Sequence, residues 1–142
     1  MKPTHIIIHH TAVSRELNGF QFAAIDRKHK EKGWGSIGYH YLIEINGLVK
    51  KGRGHDEEGA HCRELCMNYR SLGVCLTGNF ELEVPINKQI WALRDLLRHL
   101  TTKYNIPAHH IYFHRNLKKA TLCPGKNMDL DFIRSLIKKP SR

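Results

Sequence analysis

Histidines at the ends of two apolar runs, together with one cysteine, have the side-chain chemistry that a catalytic zinc site requires. His9 and His10 end the run "HIIIHH", and His114 ends a second run, "HIYFH". Cys123 follows nine residues after His114, in "TLCPG". Zinc prefers imidazole nitrogen and thiolate sulfur, and a catalytic zinc ion keeps three protein ligands and one position for water. Such a site lowers the pKa of the bound water to about 7, which favours hydrolytic chemistry.

Each of these histidines must be positioned by a strand. The three isoleucines before His9 are β-branched and continuous, which is typical of a strand covered on both faces. Neighbouring strands bring their ends to one edge of a sheet, and the following loop could fold Cys123 over that edge. Side chains alternate along a strand, so either His9 or His10 faces a given pocket, and the sequence leaves that choice open. The alternative interpretation is structural, with hydrogen-bonded histidines and Cys123 as a small apolar side chain.

The hydrophobic pattern predicts an α/β fold with a mixed central β-sheet flanked by helices. Asn18, Asn87 and Asp129 precede the predicted helices as candidate N-caps, and Asn46-Gly47 predicts a two-residue hairpin turn. The predicted strands are 5–10, 37–45, 48–52, 71–78 and 110–114, and the predicted helices are 20–32, 88–104 and 130–138. Because the sequence has no repeat, linker or composition break, it predicts a single domain over residues 1–142.

The charge balance favours an anionic partner. The 142-residue chain has 23 lysines and arginines against 13 acidic residues, which gives a net charge of +10. Such a charge attracts nucleic acid, a membrane surface or an anionic cell-wall polymer. The basic residues are scattered and no nucleic-acid-binding motif surrounds them, so nucleic acid is not the predicted partner. For each basic run taken alone, a solvated surface is the simpler interpretation.

The sequence contains no segment typical of membrane insertion or export. No apolar run approaches the roughly 20 residues that cross a bilayer, and "MKPTHIII" has neither the apolar length nor the cleavage site of a signal peptide. We therefore expect a chain that is made in the cytoplasm and has no stable membrane association. Its four cysteines are then expected to stay reduced rather than to form disulfides.

Five segments carry a resemblance to a known family: "IIIHHTA", "GWGSIGYHYLIEINGLVKKGR", "GAHC", "NYRSLGVCLTGNF" and "HRNLKKATLCPG". Their order resembles that of zinc-dependent N-acetylmuramoyl-L-alanine amidases, which include small phage lysozyme-type amidases and peptidoglycan recognition proteins. The resemblance covers about residues 4–137. It implies the fold of that family and one zinc ion per chain. The implied zinc ligands are His9, His114 and Cys123, with His10 in a supporting or structural role.

The resemblance also implies roles for residues around the zinc ion. Tyr39 of "GYHYLI" would point at the water and the scissile carbonyl, and His61 of "GAHC" would line the pocket wall and contact substrate. The phage enzymes have a lysine two residues before the metal-binding cysteine, where this chain has Thr121. The hydroxyl or backbone amide of Thr121 would then be the second donor to the oxyanion, beside Tyr39.

Three further residues are candidate substrate contacts. Trp34, between two glycines, would line the substrate groove or close an edge of the core. Asn79, after a predicted strand, would touch the peptide. Arg115 would pair with a carboxylate of the stem peptide or with a glutamate on the surface.

These features together predict a peptidoglycan hydrolase. The implied reaction is zinc-dependent hydrolysis of the amide between N-acetylmuramic acid and L-alanine. We expect a monomeric endolysin that stays in the host cytoplasm until a holin releases it to the cell wall. A non-catalytic peptidoglycan-binding module is the first alternative, but Cys123 argues against it because family members without this cysteine bind without cutting. A basic nucleic-acid-binding protein is the second alternative, and it rests on charge alone.

Overall fold

Within residues 1–138, five strands form one mixed sheet. The computed structural model describes residues 1–138, so the last four residues of the predicted domain lie outside the described residues. The strands are β1 His5–His10, β2 Tyr41–Ile43, β3 Val49–Lys51, β4 Ser71–Leu76 and β5 Ile111–Phe113. Their order in the sheet is β3-β2-β4-β1-β5. Only β3 is antiparallel to its neighbour, β2, whereas β2, β4, β1 and β5 are parallel.

Helices lie between and after the strands, which confirms the predicted α/β class. The four α-helices are α1 Phe22–Glu31, α2 Asn87–Tyr104, α3 His114–Leu117 and α4 Leu130–Ser135 in the described residues. Two 3-10 turns, Glu64–Tyr69 and Ala108–His110, precede β4 and β5. Among residues 1–138, no helix combines the length and the apolar character needed to cross a lipid bilayer.

The central strand β1 contributes to the core on both of its faces. Ile6, Ile7 and Ile8 are fully buried. Ile6 and Ile8 pack with the buried leucines of α2 on one face, and Ile7 packs with Cys62 and Met67 on the other. Burial of such a side chain stabilises the fold by about 1.5–3 kcal/mol. The isoleucine run therefore anchors the strand that carries His9 and His10.

A buried glutamate, rather than the predicted Asn18, holds the start of α1. The carboxylate of Glu44 accepts hydrogen bonds from the Gln21 amide at 2.9 Å and from the Phe22 amide at 3.2 Å. It also accepts one from the Thr77 hydroxyl at 2.6 Å. Asn18 instead accepts a hydrogen bond from the Phe20 amide. The predicted cap was wrong because Glu44, a residue from another element, supplies the negative charge that a helix N-terminus favours.

The second strand is shorter than the predicted segment 37–45. Residues before β2 bond to three different elements. The Gly38 amide donates to His29 Nδ1 of α1 at 2.9 Å, and the Gly38 carbonyl accepts from the Ala60 amide at 3.0 Å. The His40 amide donates to the Gly73 carbonyl of β4 at 2.9 Å. At Gly38, the bonds to His29 and Ala60 replace a regular strand ladder. They also bring the segment before β2 against the loop that contains His61.

The ends of helices α2, α3 and α4 agree only in part with the sequence predictions. His114 is the first residue of α3 rather than the last residue of a strand. Asn87 is the first residue of α2, whose N-cap is Ile86. Asp129 is confirmed as the cap of α4, because its carboxylate accepts the Asp131 amide at 3.0 Å, but α4 ends at residue 135 rather than 138.

We predict that His40 makes the fold sensitive to acid. His40 is fully buried, its Nδ1 accepts the Gly73 amide at 3.0 Å, and its Nε2 donates to the Glu57 carbonyl at 2.9 Å. Burial lowers the pKa of His40 below its ordinary value. As the pH falls below about 6.5, the unfolded chain takes up a proton that the folded ring refuses, so the free energy of unfolding decreases until the folded pKa is reached.

Urea unfolding of the wild type and of His40→Asn, at about pH 7.5 and about pH 5, checks this prediction. The variant should lose about 1–3 kcal/mol at the higher pH, because Asn Oδ1 can still accept the Gly73 amide but the Glu57 carbonyl loses its donor, and it should respond less to acid than the wild type. The exposed His99→Asn variant is the control. An equal acid response in wild type and His40→Asn would contradict the assignment.

Candidate metal centre

His9, His114 and Cys123 meet at the carboxyl ends of β1 and β5. The two strands are parallel and Ile8 pairs with Phe113, so His9 lies level with His114. Their ring centroids are 4.7 Å apart. The loop after α3 returns Cys123 to the same edge, where its Sγ lies 3.6 Å from His9 Nδ1. The potential ligand atoms of the three residues all lie within 4.8 Å of one another.

The donor set and its spacing fit a zinc ion. Nitrogen and sulfur ligands of a tetrahedral zinc ion are about 3.5 Å apart, close to the observed separation of His9 Nδ1 and Cys123 Sγ. Burial, together with nearby His61 and His114, lowers the pKa of His9, and burial lowers the pKa of His114. Both rings are therefore neutral and have a lone pair for a metal. Burial raises the pKa of the Cys123 thiol to about 12, so a metal ion must displace its proton.

The strand alternation selects His9 rather than His10. His9 lies on the same face of β1 as Ile7, and His10 lies on the opposite face. The Nδ1 of His10 accepts a hydrogen bond from the Phe80 amide at 3.1 Å, and the His10 amide donates to Cys123 Sγ at 3.4 Å. His10 thus supports the loop after β4 and the sulfur of Cys123.

A chain of hydrogen bonds orients the His9 ring. His9 Nε2 lies 2.9 Å from His61 Nδ1, and His61 Nε2 lies 3.4 Å from Ser71 Oγ. Ser71 in turn donates to the Met67 carbonyl at 2.6 Å. If His9 Nδ1 is free to bind a metal beside Cys123, its Nε2 carries the proton and donates to His61. In this tautomer His61 donates to Ser71, so every group in this series of hydrogen bonds has a partner.

Two glycines make the space that this arrangement needs. A Cβ at Gly73 of β4 would lie 2.6 Å from the His61 ring. A Cβ at Gly38 would lie 2.2 Å from the Ala60 carbonyl oxygen. Any larger residue at either position would push the His61 loop away from the sheet. Gly38 also precedes Tyr39, so the same close approach places Tyr39 near His9.

Tyr39 and Thr121 flank the candidate metal ligands. The Tyr39 and His9 ring centroids are 5.1 Å apart. Burial, followed by the nearby thiols of Cys75 and Cys123, raises the pKa of Tyr39 well above its ordinary value, so its hydroxyl stays protonated and can donate. The Thr121 hydroxyl accepts a hydrogen bond from the Cys123 amide at 3.3 Å, and its own proton is still available to donate.

These residues line a groove with two adjoining parts, which we call the site groove. The first part, of about 330 Å³, is lined by His9, Tyr39, Thr121 and Cys123 among others. The second part, of about 410 Å³, contains Arg63, Glu64, Asn68 and Lys118. Both parts are lined by Trp34, Ala60, His61 and His114. The structure thus brings the predicted metal and catalytic residues together with two of the predicted substrate residues.

The other two predicted substrate residues make contacts elsewhere. The guanidinium of Arg115 donates to the carbonyls of Gly125 at 2.5 Å and Met128 at 2.9 Å, so it braces the loop that follows Cys123. Asn79 lies in the turn after β4, where its side chain accepts the Glu81 amide at 3.1 Å. In the described residues, neither side chain belongs to the lining of the site groove.

Several residues of the site were not predicted from the sequence, and three of them hold its parts together. Asn68 Oδ1 accepts hydrogen bonds from the amides of His61 and Cys62, each at 2.8 Å. His29 accepts the Gly38 amide, and Glu64 lies 3.9 Å from His114 Nε2. A signal for Asn68 was present in the segment "NYRSLGVCLTGNF", but a side chain that holds loop amides leaves no periodic pattern.

Comparisons with known proteins agree with this geometry. The sequence profile of the N-acetylmuramoyl-L-alanine amidase family matches residues 1–126. The endolysin of Escherichia phage T7 is 32% identical over 115 residues, which cover 75% of this chain and 75% of the endolysin. Among solved structures, the amidase LysC from Clostridium intestinale URNW has a TM-score of 0.85 at 34% identity, with 95% of this chain and 85% of LysC covered.

A longer relative shares the same region. The N-acetylmuramoyl-L-alanine amidase of Sus scrofa is 34% identical over 129 residues, which cover 84% of this chain. The matched region spans only 21% of the pig protein's length. Because the family profile matches most of the chain, from the first strand through the loop that carries Cys123, the protein belongs to the N-acetylmuramoyl-L-alanine amidase family.

Proposed function

We propose that this protein is a zinc-dependent amidase of peptidoglycan. The bond cleaved is the amide between the lactyl group of N-acetylmuramic acid and L-alanine of the stem peptide. The observation that carries the proposal is the convergence of His9, His114 and Cys123 within 4.8 Å in a member of this family. The presence of Cys123 favours catalysis over the alternative of a binding module without activity.

The side chains around the metal ligands have distinct roles in this reaction. One zinc ion, held by His9, His114 and Cys123, would act as a Lewis acid toward the amide carbonyl and activate a water molecule. The protonated Tyr39 hydroxyl donates to the carbonyl oxygen as negative charge develops there, which is where a donor lowers the barrier most. Thr121 is the second candidate donor through its hydroxyl, because its amide already donates to the Lys118 carbonyl at 3.1 Å. His61 fixes the orientation of the His9 ring.

The site groove suits a chain with sugar and peptide parts. Trp34 is 38% exposed and lines both parts of the site groove, so it offers an aromatic surface to the substrate. Lys32, Arg63 and Lys118 also line it and attract the carboxylates of the stem peptide. The net charge of +10 adds a longer-range attraction to an anionic wall polymer.

The biological role we propose is that of an endolysin. The match to the T7 endolysin, which covers 75% of this chain and 75% of the endolysin, supports this role. A single domain, working as a monomer without a nucleic-acid partner or a stable membrane association, completes the proposal. In this role the enzyme reaches the wall from the host cytoplasm once a holin opens the membrane.

Digestion of purified sacculi tests the proposed reaction. We expect the wild type to release stem peptides with a free L-alanine amino group, identified by mass spectrometry. Cys123→Ser should release none, because the metal group loses its thiolate. Cys66→Ser changes an exposed cysteine outside this group and should behave as the wild type. Products with cut glycan strands or cut cross-bridges would rule out the amidase reaction.

Replacement of the Tyr39 hydroxyl tests its role as a donor. Tyr39→Phe should lower kcat by about 10²–10³-fold, the range typical of a lost oxyanion donor. Zinc content measured by mass spectrometry should stay at that of the wild type, because the phenol is not a metal ligand in this proposal. Unchanged kcat in a variant that still holds zinc would remove Tyr39 from the mechanism.

Loss of the His61 side chain should weaken metal binding. His61→Ala removes the acceptor that holds His9 Nε2, so we expect zinc affinity to fall by about 10–100-fold. Competition with a chromophoric chelator measures this affinity. The exposed His99→Ala is the matched histidine control. If His61→Ala binds zinc as tightly as the wild type, His61 acts through substrate contact rather than through His9.

A further inference from the structure

A second group of potential metal ligands lies beside the first and shares one histidine with it. Glu64 Oε1 lies 3.7 Å from Cys62 Sγ and 3.9 Å from His114 Nε2. The ligand atoms of Cys62, Glu64 and His114 all lie within 4.8 Å of one another. The proposed amidase reaction uses neither Cys62 nor Glu64.

Separate elements hold these three side chains in place. The Cys62 amide donates to Asn68 Oδ1, and the Cys62 side chain is 2% exposed and packs with Ile7 of β1. Glu64 begins the 3-10 turn before β4, whereas His114 begins α3. All three residues line the second part of the site groove, so an ion can reach them from solvent.

The donor types of this group are those that bind zinc. Thiolate, imidazole and carboxylate are the three usual protein ligands of a zinc ion. A thiolate also favours zinc or cobalt over the harder ions magnesium and calcium, which prefer oxygen ligands. The group therefore has the chemistry of a transition-metal site rather than that of a simple ion pair between Glu64 and His114.

We propose that Cys62, Glu64 and His114 form an inhibitory zinc site that competes with the catalytic group for His114. A neutral imidazole has one free nitrogen lone pair, so one ring binds one ion at a time. When zinc is in excess, the chain holds two ions: one on Cys62, Glu64 and His114, and the other on His9 and Cys123 alone, which is an incomplete catalytic group. This inference rests on the proposed function, because inhibition requires the first group to be catalytic.

The inhibitory site is the weaker of the two, so it fills only when zinc is in excess. The Glu64 side chain is 33% exposed, and water competes for its carboxylate. His9 and Cys123 of the catalytic group are both buried. An ion already bound at the catalytic group also repels a second cation nearby. Stoichiometric zinc therefore supports activity, and additional zinc reduces it.

Cobalt(II) titration of the 142-residue chain separates the two sites, because a cobalt–thiolate bond gives a charge-transfer absorption band. Cys123→Ser retains Cys62 as the thiol of the second group, so we expect this variant to keep the band with weaker affinity than the wild type. The double variant Cys62→Ser/Cys123→Ser should lose the band. Adding Cys66→Ser to Cys123→Ser alters an exposed thiol outside both groups and should leave the band unchanged.

The possible failures are distinguishable in this titration. If the wild type shows the band but Cys123→Ser does not, the inhibitory site is overturned and the proposed function stands. If the wild type itself shows no band, the proposed catalytic site fails. A band in the double variant would assign the signal to another thiol and would also overturn the inhibitory site.

Zinc inhibition of sacculus digestion gives a second readout that does not depend on Cys62 substitution. Activity at each free zinc concentration is divided by the activity of the same variant at stoichiometric zinc. For Glu64→Gln, the zinc concentration that halves this ratio should rise by more than about 100-fold, the upper end of what loss of an outer-shell partner costs, because the variant loses a direct ligand. Equal inhibition of the wild type and Glu64→Gln would overturn the proposal.

Discussion

The parallel pairing of β1 with β5 is the constraint on which the site depends. It fixes Ile8 against Phe113, and the next residue of each strand segment is one of the two histidines. A shift of one residue in this register would move His9 away from His114 and turn its ring to the other face of the sheet. The register is held by the complete burial of three consecutive isoleucines, which β4 and β5 cover on both edges.

Features of the fold that depend on neighbours in sequence could be predicted. The continuous isoleucines indicated a strand covered on both faces, and Asp129 was recognised as a helix cap. Features set by distant residues could not be predicted. The start of α1 depends on Glu44, which lies 23 positions after Gln21 along the chain. Likewise, the segment before β2 bonds to α1, to the loop that contains His61 and to β4, and its sequence does not indicate these distant partners.

The candidate site likewise combines features that could be predicted from the sequence with features that could not. The family resemblance implied all three metal ligands together. From the residues alone, His9 and His10 were equally good candidates, because the sequence does not show which face of β1 lines the pocket. Arg115 was expected to meet substrate, yet its guanidinium reaches carbonyls of the following loop. Asn68 and Glu64 were not predicted as site residues, because they lie in an irregular segment in which residue spacing does not indicate where a side chain points.

The residues that would hold the metal ion come from opposite ends of the chain. Cys123 and His114 form a local pair, whereas His9 and Cys123 are separated by 114 positions. An ion bound by all three therefore ties the first strand to the last loop, much as a cross-link would. Closing so long a loop removes conformational freedom from the unfolded chain, so zinc would strengthen the whole molecule as well as its chemistry. Removal of the ion would then lower the free energy of unfolding as well as the activity.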